Sequence, residues 1–207
     1  MLSIDPTAHS VGFGQWRKKF SLHRAIKKIL VSNTVFFDLQ SVRDIKAHWG
    51  TADLVCGRHV FAHIDDWQSF VADLEVITHD RSVVALEVPY LVDFLEKTEF
   101  DTIYHEHRNY FSENSLHKLF RKHKIKIIRI EKINYMSGSL RVYAQKSNEN
   151  IKNIKKRVIS LKKIIQFEKK MKLVRSKIIE FVYKMRKQNK IIAGVGAATK
   201  GNTLLNY

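Results

Sequence analysis

The stretch that most restricts the fold of this chain is Ser82 to Val88, S-V-V-A-L-E-V, a near-continuous apolar run leading into E-V-P-Y. A half-buried strand alternates apolar and polar residues, whereas a run of this kind suits a parallel sheet covered on both faces. Candidate strands and helices take turns ahead of it. The opening M-L-S-I-D-P-T reads as a short strand ending at Asp5, and Trp16 to Ile29 as a mixed apolar and basic helix. Val31 to Phe37 reads as a strand, Ser41 to Trp49 as a helix, and Ala52 to Val60 as a buried strand running into a loop. A helix over Trp67 to Ile77 follows, with Asp65 or Asp66 in place to cap it. This alternation predicts an α/β sandwich, whose ligands sit beyond the C-terminal ends of the strands. Asp5, His63 and Glu87, with Pro89 and Tyr90 beside Glu87, fall at such ends. An acidic residue at a strand tip is suited to accept hydrogen bonds from ribose hydroxyls, so Asp5 is a candidate cofactor ligand.

Four titratable side chains stand in a row downstream, Tyr104, His105, Glu106 and His107, within F-D-T-I-Y-H-E-H-R-N-Y-F-S. Histidine titrates nearest neutral pH and a neighbouring carboxylate moves it further, so proton transfer is expected here. In an extended backbone His105 and His107 would face one way and Tyr104 and Glu106 the other; in a loop all four would be free to converge. Ser112, with Ser115 or Asn114, is placed to cap the helix that follows. Ile125 to Ile130 and Leu140 to Ala144, joined through N-Y-M-S-G-S, predict an antiparallel hairpin at the sheet edge.

The formal charge of +17 invites a nucleic-acid reading, and its distribution argues against one. Residues 151–190 hold 15 Lys and Arg against two Glu, which accounts for +13 of the total. Ile164, Phe167, Met171, Val174, Ile178, Phe181 and Met185 recur there at alternating steps of three and four, predicting an amphipathic connecting helix with a lysine-rich outer face. Such a face attracts nucleic acid without reading its sequence. The final stretch, I-I-A-G-V-G-A-A-T-K-G-N-T-L-L-N-Y, predicts a strand, a G-x-G turn and a helix start able to cradle a phosphate. Lys200, Asn202 and Thr203 lie in it. The single cysteine, Cys56, excludes a disulfide framework and a four-cysteine zinc site and suits a reducing cytoplasm. No run approaches the ~18 apolar residues of a membrane span, and the N-terminus lacks a signal-peptide layout.

E-V-P-Y-L-V-D-F-L, F-D-T-I-Y-H-E-H-R-N-Y-F-S, G-S-L-R-V-Y-A and G-V-G-A-A-T-K-G-N-T-L-L-N-Y occur in this order. Together they resemble the S-adenosylmethionine-dependent C-methyltransferases of nucleotide-linked 4-keto-deoxysugars, from about Ile4 to Tyr207. The resemblance implies a class I methyltransferase-like (Rossmann-like) α/β sheet over residues 1–148 lacking its first βα unit. It also implies basic connecting helices over 149–190 and the start of a second Rossmann-like domain over 191–207. In such enzymes a base removes the proton on C3 beside the C4 ketone, and the resulting enolate takes the methyl group of S-adenosylmethionine. His107 is then the candidate base. Tyr104 and His63 would be hydrogen-bond donors to the enolate oxygen, and Glu106 would tune the pair. Asp5 would hold the cofactor ribose, and Glu87, Tyr90, Lys200, Asn202 and Thr203 would contact the nucleotide-diphosphate deoxysugar. The glycine-rich first turn and the zinc-ligand cysteines of the family are absent, so no zinc is expected. Arg58-His59 stands where the family usually has an amide-bearing pair, and Met136-Ser137-Gly138 replaces a more usual His-Gly-Gly. The expectation is a chain truncated at both ends with impaired activity. The alternatives are a non-catalytic sugar-nucleotide binding remnant and, more distantly, a basic nucleic-acid-associated protein.

Overall fold

The computed structural model of the protein describes residues 2–4, 31–33, 37–136, 138–148, 159–196 and 199–207. Asp5, the expected helix over Trp16 to Ile29 and the first part of the basic stretch lie outside them. In chain order the elements are β1 (Leu2–Ile4), β2 (Val31–Asn33), α1 (Leu39–Trp49), β3 (Ala52–Arg58), α2 (Trp67–Ile77) and β4 (Thr78–Pro89). They continue with α3 (Leu91–Lys97), α4 (Glu113–Lys122), β5 (Ile125–Ile133), β6 (Ser139–Lys146), α5 (Leu161–Lys187) and α6 (Thr199–Asn206). β1 and β2 form a parallel pair of their own. The main sheet has the order β3-β4-β6-β5.

The helix starts follow local chemistry. Asp38 accepts from the Ser41 amide at 2.8 Å to begin α1, and Asp66 accepts from the Ser69 amide at 3.0 Å to begin α2. Ser112 and Ser115 form a reciprocal capping box at α4. Each satisfies amides that the helix itself leaves without a partner.

β4 is parallel to β3 and antiparallel to β6, so the expectation of a parallel sheet holds on one edge only. The cause is the short Asn134–Gly138 connection, which brings β6 back alongside β5 and leaves it between β5 and β4. Registered partners share a face. Val84, Leu86 and Val88 lie opposite Ala144, Val142 and Leu140, and all six are buried together with Phe70, Val71 and Leu74 of α2 and Leu116, Leu119 and Phe120 of α4. Burying such side chains stabilises the fold by about 1.5–3 kcal/mol each, which explains why this face sets the register. The opposite face carries a charged row. Arg58 reaches Glu87 at 3.0 Å, Arg141 donates to Glu87 from Nε and Nη2 at 2.9 and 2.7 Å, and Arg141 also lies 3.7 Å from Glu131.

α5 runs for 27 residues. Phe167 packs on Phe94 of α3 with ring centroids 4.9 Å apart, while Leu173, Ile179, Phe181 and Tyr183 remain exposed. Residues 191–196 form no strand, contrary to expectation, and Ile191 and Val195 are fully exposed. A strand needs a neighbour to pair its amides and carbonyls, and no described strand flanks this segment.

Two substitutions test this packing. Asp73 is 4% exposed within α2, and burial, with Asp38 and Asp66 nearby, raises its pKa to about 6. The folded chain therefore disfavours the charged carboxylate, a cost that is full above about pH 6 and absent below the ordinary value of 3.8. Asp73→Asn should raise the melting temperature at pH 7.5, by on the order of 2 kcal/mol in stability, and give no gain at pH 3.5. Gly138 has φ +137°, and a Cβ there would lie 2.6 Å from the Asp93 Cβ. Gly138→Ala should cost at least about 2 kcal/mol in denaturant unfolding.

Candidate functional site

The ends of β3 and β4 face a loop that carries most of the titratable groups. After β3 the chain turns through His59 in the left-handed region, φ 56°, with its amide donating to the Glu87 carbonyl at 2.9 Å. A short 3-10 turn over Phe61–His63 follows. Phe61 is buried between the rings of Phe70 and Phe111, at 5.0 and 4.7 Å, and anchors this turn in the core. The Ala62 carbonyl then accepts from the amides of both Arg108 and Asn109, at 3.0 and 3.2 Å. The Asn109 side chain donates to the Ile64 carbonyl at 2.6 Å, and Arg108 pairs with Asp65. Residues 61–65 and 104–109 are thereby stitched together.

Within this seam the Tyr104–His107 segment is a tight turn, not an extended strand: the His107 amide donates to the Tyr104 carbonyl at 3.0 Å. Tyr104 and His107 converge, with Oη and Nε2 2.7 Å apart. His107 Nδ1 donates to the Thr102 carbonyl at 3.1 Å, and Tyr110 donates to the same carbonyl at 2.8 Å. His63 joins them, its ring centroid 5.1 Å from that of His107 and its Nδ1 2.8 Å from the Glu106 carbonyl. His105 and the Glu106 carboxylate turn outward toward each other, 3.9 Å apart and exposed. Burial is the main force holding the His107 imidazole below its usual pKa, and His63 acts in the same direction. Burial also raises the Tyr104 phenol. Both groups are therefore neutral at pH 7.

α6 closes one side. Lys200 lies 4.0 Å from Asp101, Thr203 Oγ1 reaches the Ile103 carbonyl at 3.4 Å, and the Tyr207 ring packs on Phe100 at 5.2 Å. Lys200 and Thr203 thus stand beside the turn leading into Tyr104. Asn202 instead accepts from Asn206 within α6. Glu87 is held by Arg58 and Arg141 in the cross-strand row. Tyr90 is 3% exposed, donates to Glu113 at 3.2 Å and lines a separate cavity of about 280 Å³ with Asp93, Glu96 and Lys132. Its hydroxyl thus bonds at that cavity's wall.

His59 is the group that sequence reasoning missed. It is half-buried, its Nε2 is 3.5 Å from Ser139 Oγ, and burial lowers its pKa, with smaller contributions from His107 and His63. The only sequence signal was its departure from an amide-bearing pair after β3. Among the described residues no group of three or more His, Cys, Asp or Glu is arranged to hold a metal ion. No helix among the described residues is long and apolar enough to cross a membrane.

Residues 4–129 match a methyltransferase domain and residues 134–207 a C-methyltransferase C-terminal domain. The C-methyltransferase NovU of Streptomyces niveus is 32% identical over 180 residues, covering 82% of this chain and 43% of that protein. The chain therefore spans less than half the length of this relative. Among solved structures, a magnesium protoporphyrin IX methyltransferase from Synechocystis PCC 6803 is 15% identical, with a TM-score of 0.45 over 65% of this chain and 59% of that one. A 1,6-didemethyltoxoflavin-N1-methyltransferase from Burkholderia thailandensis is 14% identical, with a TM-score of 0.48 over 71% and 61%.

The Tyr104–His107 contact has a measurable consequence. A phenol donating to Nε2 stabilises the neutral imidazole, so Tyr104→Phe should raise the His107 pKa. NMR titration of the His107 ring protons checks this: the parent midpoint should lie below 6.5, the ordinary histidine value, and the variant's midpoint above that of the parent.

Proposed function

Because this chain belongs to the C-methyltransferase family, we propose that it serves S-adenosylmethionine-dependent methylation of a carbon beside a ketone in a nucleotide-linked 4-keto-deoxysugar. The observation that carries this reading is the convergence of Tyr104, His107 and His63 at the C-terminal ends of β3 and β4. Carbon is a poor nucleophile until a proton is removed from it. A cluster of hydrogen-bonded imidazoles and a phenol, with the His107 ring kept neutral by burial, is equipped to accept that proton near neutral pH. Substrates of other methyltransferases whose nucleophile is already a lone pair make no such demand.

S-adenosylmethionine is the cofactor of the family, and it is a sulfonium cation. Burial keeps His59 and His107 on the neutral side, so neither imidazole sets a positive charge against that cation. When bound, this cofactor supplies an electrophilic methyl group. Asp5 would hold its ribose. The protein's own work is the management of one proton and of the substrate's pose. His63, Tyr104 and His107 handle the proton, and the Glu106 carbonyl fixes the His63 ring. Lys200, near Asp101, and Thr203, at the Ile103 carbonyl, are the groups for the nucleotide diphosphate, with Asn202 between them in α6. Glu87 and Tyr90 shape the strand end from behind, through Arg141 and the α3–α4 wall. A cytoplasmic setting belongs to the same proposal, consistent with the free Cys56.

Two measurements test the reading. Calorimetry with S-adenosylhomocysteine should show saturable binding. In deuterium oxide, a dTDP-4-keto-6-deoxysugar incubated with the protein should gain deuterium at C3, and the His63→Gln/His107→Gln double variant should lose that exchange by at least about 100-fold. Binding of the sugar nucleotide without any cofactor binding or exchange would point to a non-catalytic sugar-nucleotide module.

A further inference from the structure

His59 is the first residue beyond β3, and α/β sheets bind their ligands beyond the C-terminal ends of the strands. Its half-buried ring stands 5.3 Å from that of Tyr135, in the connection between β5 and β6. The Ser139 hydroxyl directs its one hydrogen to the Tyr135 carbonyl at 2.9 Å, so toward His59 Nε2, 3.5 Å away, its oxygen offers only lone pairs. That arrangement favours a hydrogen on Nε2 and leaves Nδ1 as the position that gains a proton on the acid side. Glu87 of β4 favours the charged ring, while Arg58 of β3, His63 of the 3-10 turn and His107 of the loop oppose it. The Glu87 carboxylate is itself paired with both Arg58 and Arg141. His59 is thus in electrostatic range of both imidazoles of the proton-handling cluster. Methyl transfer needs reacting atoms about 3–3.5 Å apart, so a sulfonium donor and the substrate carbon served by that cluster are neighbours of necessity. A charge at His59 then acts on the sulfonium as it acts on His63 and His107.

We propose that His59 is an electrostatic selector at the cofactor site: its neutral ring admits the sulfonium of S-adenosylmethionine, and its imidazolium disfavours that cation without affecting the uncharged thioether of S-adenosylhomocysteine. This assignment rests on the methyl-transfer reading above. The sign follows from the ring's charge. Burial holds the His59 midpoint below the ordinary 6.5, so binding of the methyl donor is full above that midpoint and weakens as the pH falls through it. The two compounds share every other group, so the ratio of their affinities isolates this one interaction from any general loosening of the site. An acid shift leaves the product bound while the donor is turned away. The amide side chain usual at this place in the family cannot gain a charge, so the selection belongs to this chain.

Calorimetry of the full chain with each compound tests the proposal. Between about pH 7.5 and about pH 5.5 the Kd for S-adenosylmethionine should rise by about tenfold relative to that for S-adenosylhomocysteine. In His59→Asn the same ratio should change by less than about twofold. Asparagine is at ease at the left-handed φ of 56°, and a circular dichroism melt reports whether the variant keeps the fold. A second measurement needs no variant. Linkage is reciprocal, so in NMR titration of the parent S-adenosylmethionine should lower the His59 midpoint by about one pH unit, and S-adenosylhomocysteine should leave it in place. A parent ratio that stays flat with pH, a rise that persists in full in His59→Asn, or a His59 midpoint that S-adenosylmethionine does not move overturns the proposal and leaves the methyl-transfer reading standing. If the parent binds neither compound at about pH 7.5, both fall together.

Discussion

The two-sided pairing of β4 is the constraint on which the rest depends. One edge of this strand meets β3 in parallel and the other meets β6 antiparallel, so its register fixes both halves of the sheet. A slip of one residue would turn Val84, Leu86 and Val88 out of the core and bring Glu87 into it. Glu87 resists that slip from the other face, because Arg58 and Arg141 meet it from the two neighbouring strands. Apolar burial on one face and a charge row on the other specify the same alignment. The C-terminal ends of β3 and β4 are then held level, which is what allows His59 and the Phe61–His63 turn to face the Tyr104–His107 loop.

Much of the frame was legible in the sequence because it is set locally. The bounds of α2, the Asp66 cap and the Ser112–Ser115 box follow from side chains bonding to amides two or three residues away, and the β5–β6 hairpin from the short connection between them. Of the candidate residues singled out in the sequence, His63, Tyr104 and His107 converge in the structure. What remained hidden was non-local. Nothing in S-V-V-A-L-E-V indicates that one of its edges receives an antiparallel strand arriving some fifty residues later. The apolar I-I-A-G-V-G segment has the composition of a strand, but it has no described neighbour to pair with. Tyr90 follows a strand tip in sequence, yet its ring turns inward to a wall formed by α3, α4 and β5. The left-handed backbone at His59 is equally unreadable, since it is imposed by the bond to the Glu87 carbonyl rather than by the residue's own preference.

The electrostatic character of the chain divides in the same way. The large positive charge is carried mainly by α5 and its approach, where lysines such as Lys163 and Lys172 pair with Glu96 and Glu168. These exposed pairs contribute little to stability. Away from that charge, Tyr104 and His107 are half-buried and neutral at pH 7. Net charge and function are therefore read from different parts of the molecule.

The Ala62 carbonyl receives two amides from the loop opposite, and the residue before it is locked among aromatic rings. The hydrophobic interior and the clustered imidazoles consequently share one rigid coupling. A change of ring size at Phe61 would be transmitted as a displacement of His63 relative to Tyr104, so this core position carries a geometric tolerance set outside the core. Natural variation there should be narrower than burial alone would require.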